Sequence, residues 1–171
     1  GKKYSIVRSV DSLITNESGI VLAIRTADCL PVLIYDPSSK SVGAVHSGWK
    51  GLLKNILGKT VEKMKQEFEA NPEEMRVFVG QHACSDCYDV HNNVAKPFRE
   101  MLGEDTDLVK ENGKSDDKGE KYDLDMAEIA NKQLIGAGVV QERIEMSGVC
   151  TMTDERFASA RREGDGRNDL N

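Results

Sequence analysis

The side chains best suited to chemistry lie close together in residues 23–51, which read AIRTADCLPVLIYDPSSKSVGAVHSGWKG. Cys29 lies where one apolar run gives way to the next. His46 ends a further apolar run, directly before Ser47 and a helical pattern that begins at Trp49. Reactive groups at strand ends, beside a helix N-terminus, are a common way to build a site on a rigid scaffold. We therefore expect a functional site in this stretch.

Cys29 and His46 are the leading candidates. A thiolate and an imidazole can bind a soft metal, or they can act as a nucleophile with its general base. Catalytic zinc takes three protein ligands and structural zinc four, so two residues form an incomplete metal site. The alternative is that Cys29 is a small buried apolar residue and His46 a hydrogen-bonded histidine at a strand end. The pair alone leaves these interpretations open.

A second group of metal-binding residue types has the spacing H-x-C-x-x-C-x-x-x-H and comprises His82, Cys84, Cys87 and His91. Such a group can bind zinc or carry out thiol chemistry. The sequence contains no second C-x-x-C, so a loop with incidental thiols is the preferred interpretation.

Charged residues add candidates for acid–base chemistry and anion binding. Asp28 can orient a ligand or transfer a proton, or it can cap the bend after Ala27. We expect four basic residues to collect around an anion with help from the helix N-terminus: Lys50, Arg161, Arg162 and Arg167. The alternative for them is a solvated basic surface.

The elements that position these residues follow from hydrophobic periodicity. We predict strands at 19–24, 30–35, 42–46, 76–80 and 143–146, helices at 49–68, 90–102 and 124–135, and a polar loop at 104–121, while 10–15 is a short stretch of mixed apolar and polar residues. The strands at 30–35 and 42–46 should form a hairpin that brings Cys29 and His46 together. Strands and helices do not alternate strictly, so the predicted class is α+β with a mixed sheet.

Composition limits the class of protein. A chain of 171 residues favours one domain, and a net charge of −6 argues against general binding to nucleic acid or to anionic membranes. Four cysteines in a chain of this size suggest thiols or metal ligands rather than a disulfide scaffold. No apolar run approaches the roughly 18 residues of a membrane span and no signal peptide is recognisable, so we expect a cytoplasmic protein.

Two segments resemble the signature of the laccase-domain family: TADCLPV at 26–32 and AVHSGWKG at 44–51. Further matching segments follow in order: DSLIT at 11–15, CYDV at 87–90, YDLD at 122–125, CT at 150–151, and F-x-S-x-RR at 157–162, ending near Gly166-Arg167. The loop GQHAC at 80–84 departs from the family, which usually has Gly-Pro there, and Ala160 replaces a usual aromatic residue.

The resemblance implies one laccase-like domain over 1–171 with a four-layer α/β/β/α fold and mixed β-sheets. It implies purine nucleoside phosphorylase activity with adenosine deaminase side activity and copper-dependent polyphenol oxidation. The implied partners are a purine nucleoside and phosphate, the implied metal is Zn²⁺ with Cu²⁺ as the alternative, and the oligomeric state stays open.

The resemblance also assigns roles to residues. Cys29 and His46 match the second and third members of the family's His-Cys-His metal cradle, and together with Asp28 they are the catalytic candidates. The candidates for substrate binding are Arg25, Ser47, Lys50 and Arg161. The family's first histidine comes from a Gln-Val-His stretch upstream of the segment matched by 11–15, and no histidine precedes Cys29 here. We expect either that this chain lacks the family's N-terminal segment or that the protein lacks this ligand.

Two other functions remain as alternatives. One is a metal-independent Cys–His hydrolase or deamidase, with Cys29 as nucleophile and His46 as base. The other is a non-catalytic module that holds a metal.

Overall fold

The computed structural model describes residues 5–103 and 106–164, which build two β-sheets and five α-helices. The strands are β1 Ser12–Thr15, β2 Leu30–Asp36, β3 Ser41–Ser47, β4 Arg76–Val79, β5 Asp89–His91, β6 Val109–Asp116, β7 Gly119–Leu124 and β8 Ile144–Met146. The helices are α1 Trp49–Leu53, α2 Ile56–Phe68, α3 Asn92–Leu102, α4 Met126–Gly136 and α5 Ala160–Glu163. None of the described helices is long and apolar enough to cross a membrane.

The two sheets differ in strand direction. The five-stranded sheet has the order β1-β3-β2-β4-β8 and is mixed, because β8 runs parallel to β4 while the other pairs are antiparallel. The three-stranded sheet has the order β5-β7-β6 and is antiparallel throughout, so only one of the two sheets is mixed. The predicted α+β class with more than one sheet is confirmed.

The hairpin of β2 and β3 is also confirmed, and it fixes the positions of the two leading candidates. Leu30 pairs with Ser47, and Pro31 pairs with His46. Because Cys29 directly precedes Leu30, the thiol and the imidazole come to the same end of the sheet.

One face of the five-stranded sheet forms the main hydrophobic core. Alternate residues of β2 are buried on this face, as the two-residue period of a strand requires: Leu30, Val32 and Ile34. Helix α2 packs against β3, and its buried apolar residues follow helical spacing: Leu57, Val61 and Met64. Burying each such side chain stabilises the fold by about 1.5–3 kcal/mol.

The opposite face of the same sheet is apolar but exposed. Leu33 is 49% exposed, Tyr35 is 42% exposed and Phe78 is 36% exposed. They line a groove of about 850 Å³. Because directly opposed residues of an antiparallel pair share a face, His46 lies with Pro31 on this exposed side, at the end of the sheet.

Two sequence-based elements are wrong. The apolar run at 19–24 is not a strand: residues 20–26 have no regular structure, with Ile20 52% and Val21 88% exposed. An apolar run becomes a strand only when a neighbour satisfies its backbone, and none of the described strands pairs with it. The polar stretch at 104–121 is not a loop, because β6 and the first half of β7 lie within it. One face of this hairpin meets solvent, so its sequence is polar, while Val109 and Tyr122 are buried on the other side.

The helix predicted at 49–68 is divided in two. Asn55 adopts a left-handed conformation with φ of 54°, which ends α1, and its side chain accepts the Gly58 N–H at 3.3 Å to cap α2. Asparagine tolerates this conformation better than most residues. The apolar spacing continues across the break, so periodicity could not reveal it.

Candidate functional site

Three side chains form a row at the end of the sheet: Asp11, His46 and Cys29. The Nδ1 atom of His46 lies 2.9 Å from Oδ1 of Asp11, and the His46 backbone N–H donates to the Asp11 carbonyl at 2.8 Å. The other side of the imidazole faces Cys29, with which it forms a hydrogen bond. A carboxylate on Nδ1 fixes the orientation of the ring, which leaves Nε2 for a metal or for a neighbouring thiol.

The charge state of His46 follows from these neighbours. The hydrogen bond with Cys29 is the largest cause that raises the pKa of His46 to about 9, partial burial opposes it, and the Asp11 carboxylate adds to it. His46 is therefore an imidazolium at neutral pH and donates through both ring nitrogens. Because the folded-state pKa exceeds the usual 6.5, the interaction stabilises the fold below that pH and its contribution is lost as the pH rises through about 9.

Replacing Asp11 with asparagine should lower the pKa of His46 by about one unit, the lower end of the effect of a nearby opposite charge, because Asp11 is largely exposed. NMR titration of the imidazole protons measures this in a chain with three histidines. The resonances of His82 and His91, which do not contact Asp11, serve as internal references. A His46 pKa that stays at about 9 would show that Asp11 has no electrostatic influence on the ring.

Gly48 lies directly against the reacting pair. A Cβ atom at this position would lie 3.0 Å from Cys29 Sγ and 3.9 Å from His46 Nε2. The first distance is much shorter than a normal carbon–sulfur contact, so a side chain here must displace the thiol.

Gly48→Ala should therefore lower activity that depends on Cys29 about tenfold or more, since a misplacement of about 1 Å can cost a hundredfold. The free energy of unfolding should fall by about 1 kcal/mol or less, because Gly48 is the extended N-cap of α1, where alanine is a poorer cap than glycine. The measurements are turnover and urea unfolding of the same sample. Gly103→Ala is the control, because an added Cβ at this exposed glycine has no atom within 4 Å. Gly103 has a positive φ of 62°, so this variant also carries a cost in backbone strain.

Asp28 connects three segments of the chain. It is 3% exposed, with φ of 77°, a conformation that is uncommon for a residue other than glycine. Its carboxylate accepts the Thr151 hydroxyl at 2.7 Å and the Arg161 N–H at 2.8 Å. Its own carbonyl accepts the Ala83 N–H at 3.0 Å. Asp28 thus holds the loop after β4, the loop after β8 and the start of α5 beside Cys29.

Arg161 is placed by an aromatic ring and a carboxylate. Its guanidinium lies 4.4 Å from the centroid of the Tyr88 ring, and Nη1 donates to Oδ1 of Asp89 at 3.1 Å. Burial opposes ionisation of Asp89, but Lys121 and Arg161 hold the pKa of this carboxyl below its usual value. Burial likewise raises the pKa of Tyr88.

The other candidates for substrate binding do not converge as closely. Arg25 is exposed in the irregular segment before β2, and Lys50 is exposed with its Nζ 5.3 Å from the centroid of the Trp49 ring. Ser47 is fully buried on the core face, and its hydroxyl has no hydrogen-bond partner among the described residues. Arg167 lies outside the described residues.

Arg162 is exposed, and backbone carbonyl groups hold its guanidinium. Its guanidinium donates to the carbonyl oxygens of Thr151 and Phe157. It therefore fastens the loop after β8 to α5, and the basic cluster around an anion stays a prediction.

Sequence reasoning missed Asp11, Tyr88 and Thr151 as site residues. Asp11 is 35 positions from His46, and Thr151 is 123 positions from Asp28. Contacts at such separations leave no trace in local spacing. The sequence did mark two of these segments, because 11–15 and 87–90 match the family. The match did not indicate which residues they contact.

The second predicted cluster is rearranged. The Sγ atoms of Cys84, Cys87 and Cys150 all lie within 4.8 Å of one another, so Cys150 joins the pair from the C-x-x-C. His82 is not part of the group: it is buried, and its Nδ1 lies 2.8 Å from the Gly80 carbonyl oxygen. His91 instead faces Asp116 at 3.4 Å. The interpretation as a loop with incidental thiols is weakened, because a third thiol converges from another loop.

The three thiols differ in their protonation. Burial is the main cause that raises the pKa of Cys84. Burial opposes ionisation of Cys150 as well, but backbone N–H groups, including that of Cys84 at 3.3 Å, lower the pKa of Cys150 to about 7.

Comparison with known proteins supplies the family. The model described as multi-copper polyphenol oxidoreductase laccase matches residues 2–168. A purine nucleoside phosphorylase from Bacteroides thetaiotaomicron is 30% identical over 164 residues, which make up 95% of this chain and 59% of that protein. Adenosine deaminase RL5, from an unknown prokaryotic organism, is 30% identical over 164 residues, or 95% of this chain and 61% of that protein.

A solved structure agrees with the fold. YlmD from Geobacillus stearothermophilus superposes with a TM-score of 0.80 at 34% identity, covering 91% of this chain and 56% of that one. The chain spans between 56% and 61% of the length of the curated relatives it matches.

The family match extends over nearly the whole chain, and the solved relative shares its fold. The family's description and the three-cysteine cluster together point to metal binding. The chain belongs to the multi-copper polyphenol oxidoreductase laccase family.

Proposed function

We propose that this protein is a purine nucleoside phosphorylase that cleaves adenosine and inosine, with adenosine deamination as a side activity. The observation that carries the proposal is the row Asp11–His46–Cys29, in a chain whose curated relatives include several named purine nucleoside phosphorylase and one named adenosine deaminase. We place the protein in the cytoplasm, with a purine nucleoside and phosphate as its substrates.

His46 is suited to supply the proton that phosphorolysis needs. A phosphate oxygen attacks C1′ of the ribose, the bond from C1′ to the purine nitrogen breaks, and the purine takes the electron pair together with a proton. With a pKa raised to about 9, His46 carries that proton at neutral pH, and Asp11 stabilises the charged ring. The protonated state therefore favours His46 as the general acid of the metal-free site, because Nε2 cannot carry this proton and bind a metal at the same time.

Asp28 receives a positioning role. Both of its carboxylate oxygens accept hydrogen bonds, from Thr151 and from Arg161, so it has less capacity than His46 to exchange a proton with a substrate. It keeps the Arg161 backbone in place. The guanidinium of Arg161 has five N–H donors, so its pairing with Asp89 is compatible with binding a phosphate oxygen.

The remaining substrate-binding assignments are proposals of the same kind. Lys50 and Arg25 are exposed cations, and we assign them to long-range attraction of phosphate. Contact between Ser47 and a substrate stays a prediction, since its hydroxyl lies on the core face.

Cys29 and His46 are the residues that would hold the family's metal. A thiolate and an imidazole suit zinc and also copper. The Asp11 carboxylate on Nδ1 gives His46 the orientation typical of a metal-bound histidine. Among the described residues, only the three-cysteine cluster brings three or more potential metal ligands together. Cys29 and His46 have no third ligand in this set, so a third ligand for them would have to come from elsewhere. When bound, zinc would supply a water activated near neutral pH, as deamination requires.

The test is phosphate-dependent release of base from inosine and adenosine, with metal content measured on the same samples. It should be run on this chain, on His46→Gln, and on a version extended upstream by the residues that the longer relatives have. Activity confined to the extended version would support completion of the metal site by an upstream histidine. Absence of activity from every version, with zinc still bound, would favour the non-catalytic metal-holding module.

A second candidate function is a metal-independent hydrolase or deamidase. The observation that favours it is the same row, because a carboxylate, an imidazole and a thiol in hydrogen-bonding order resemble an activated cysteine nucleophile. Irreversible inactivation by iodoacetamide with no response to chelators would support this function. Loss of activity on chelation, restored by zinc or copper, would exclude it and would also distinguish the metals.

A further inference from the structure

We propose that Cys84, Cys87 and Cys150 form a second metal site, separate from Cys29 and His46, which takes a zinc ion and joins the loop after β4 to the loop after β8. This proposal does not depend on the phosphorylase assignment, because it concerns other side chains and predicts binding rather than turnover.

The C-x-x-C turn already holds two of the thiols on one side. The Cys87 N–H donates to the Cys84 carbonyl at 3.0 Å, and the Tyr88 N–H donates to the Ser85 carbonyl at 3.1 Å. These bonds close a short 3₁₀ turn over Ser85–Cys87. Such a turn is the usual way in which two cysteines three positions apart present their sulfurs to one ion.

The third thiol is brought in by backbone pairing. The His82 N–H donates to the Val149 carbonyl at 3.4 Å, and the Thr151 N–H donates to the His82 carbonyl at 2.9 Å. These bonds form a parallel bridge between His82 and Cys150. The position of Cys150 beside the turn is thus fixed by the fold itself, and the thiols do not have to move far to bind an ion.

The separation of the sulfurs suits a tetrahedral thiolate site. Zinc–sulfur bonds of about 2.3 Å place two sulfurs on one tetrahedral ion about 3.8 Å apart. The three Sγ atoms lie within 4.8 Å of one another, so each pair needs to approach by about 1 Å or less. All three cysteines are free and only partly buried, which gives an ion access from solvent. Three thiolates leave one position for a water molecule or an anion.

The other potential metal ligands near the three cysteines, His82 and Asp86, make contacts outside the cluster. The buried His82 imidazole faces the Gly80 carbonyl, and the Asp86 carboxylate accepts from the Ser85 hydroxyl at 3.4 Å and lies outside the group of converging ligand atoms. A soft, all-sulfur set favours zinc or another thiophilic ion over magnesium or calcium. The Cys84 N–H already donates to Cys150 Sγ, which is the kind of contact that supports a bound thiolate.

The site has a structural consequence for the reacting pair. Thr151, next to Cys150, and Ala83, next to Cys84, both donate to Asp28. An ion shared by the two loops therefore holds the contacts that position Asp28, and zinc should raise the melting temperature of the protein.

The first test uses the unaltered chain. The reduced, metal-free protein is treated with iodoacetamide with and without one equivalent of zinc, and alkylation of each cysteine is followed by peptide mass spectrometry. Zinc should slow alkylation of Cys84, Cys87 and Cys150 together by about tenfold or more, because a metal-bound thiolate is not free to react. Equal rates with and without zinc at these three cysteines would overturn the proposal.

The second test separates the two sites. Co²⁺ bound to thiolates gives a near-ultraviolet charge-transfer band whose intensity rises with the number of sulfur ligands. The Cys29→Ser variant should keep a band of three-thiolate intensity at one equivalent of Co²⁺, while Cys84→Ser combined with Cys87→Ser should lose most of it. Loss of the whole band in Cys29→Ser would overturn the proposal. A Cys84–Cys87 disulfide that forms in air while zinc is present, seen as a mass two units lower, would also overturn it.

Discussion

The Cys29→Ala variant is expected to lose phosphate-dependent release of purine by at least about a hundredfold. Changes in residues that only orient a metal ligand cost about 10- to 100-fold, and Cys29 is itself the proposed ligand. Its sulfur is also the group that holds His46 in its protonated form, so the variant loses the proposed ligand and alters the proposed general acid. Metal retention at this centre should fall with activity.

The cause of the loss can be separated from unfolding. Cys29 is only partly buried, so its truncation should cost less than the roughly 2–5 kcal/mol of a large core deletion. Urea unfolding should show a midpoint close to that of the unaltered chain. Cys87→Ala is the matched control, because it removes a thiol of similar exposure from the other cluster, and its activity should fall much less, since that cluster acts on the reacting pair only through Asp28. Full activity in Cys29→Ala would contradict both the phosphorylase and the hydrolase proposals.

The sequence was most informative where a pattern is local. The apolar runs of β2 and β3, separated by turn-forming residues at 36–40, predicted a hairpin, and the hairpin by itself places Cys29 near His46. Helical spacing likewise located α3 and α4 to within a few residues. These features depend on neighbours in the chain, so one sequence contains enough information to find them.

The sequence failed where a tertiary contact decides the outcome. The run at 19–24 is as apolar as β2, but no described strand lies beside it, and its Val21 is 88% exposed. The hairpin of β6 and β7 is polar because one of its faces meets solvent, and it was therefore mistaken for a loop. Neither outcome can be read from composition within the segment.

The three-cysteine cluster shows the same limit within a site. Cys84 and Cys87 were visible as a C-x-x-C, but they were given histidine partners because His82 and His91 are close in sequence. The fold instead turns His82 toward the Gly80 carbonyl and brings in Cys150 through a parallel bridge. Spacing can identify ligands on one turn, whereas a ligand from another loop requires the topology.

Asp28→Ala is expected to lower the free energy of unfolding by about 3 kcal/mol. The change leaves the Thr151 hydroxyl and the Arg161 N–H without their acceptor, and each unsatisfied buried group costs about 1–3 kcal/mol. Alanine is also less tolerant than aspartate of the left-handed conformation at φ 77°, which adds about 1 kcal/mol. Water can partly solvate the freed Thr151 hydroxyl and Arg161 N–H, so we expect a total loss near the lower end of the summed range. Urea unfolding with an unchanged m value measures this loss.

Two further variants determine whether these contacts are the cause. Asp28→Asn keeps one carbonyl oxygen and tolerates the same backbone conformation, so it should lose about half as much stability as Asp28→Ala. Thr151→Val removes one donor and leaves Asp28 its second hydrogen bond, and its effect combined with Asp28→Ala should be less than additive, because the two residues share one interaction. Strict additivity would show that the hydrogen bond between Thr151 and Asp28 contributes no measurable stability. In that case the loops after β4 and β8 would be held beside Cys29 by their own pairing, and the carboxylate would be available for a direct role in the reaction.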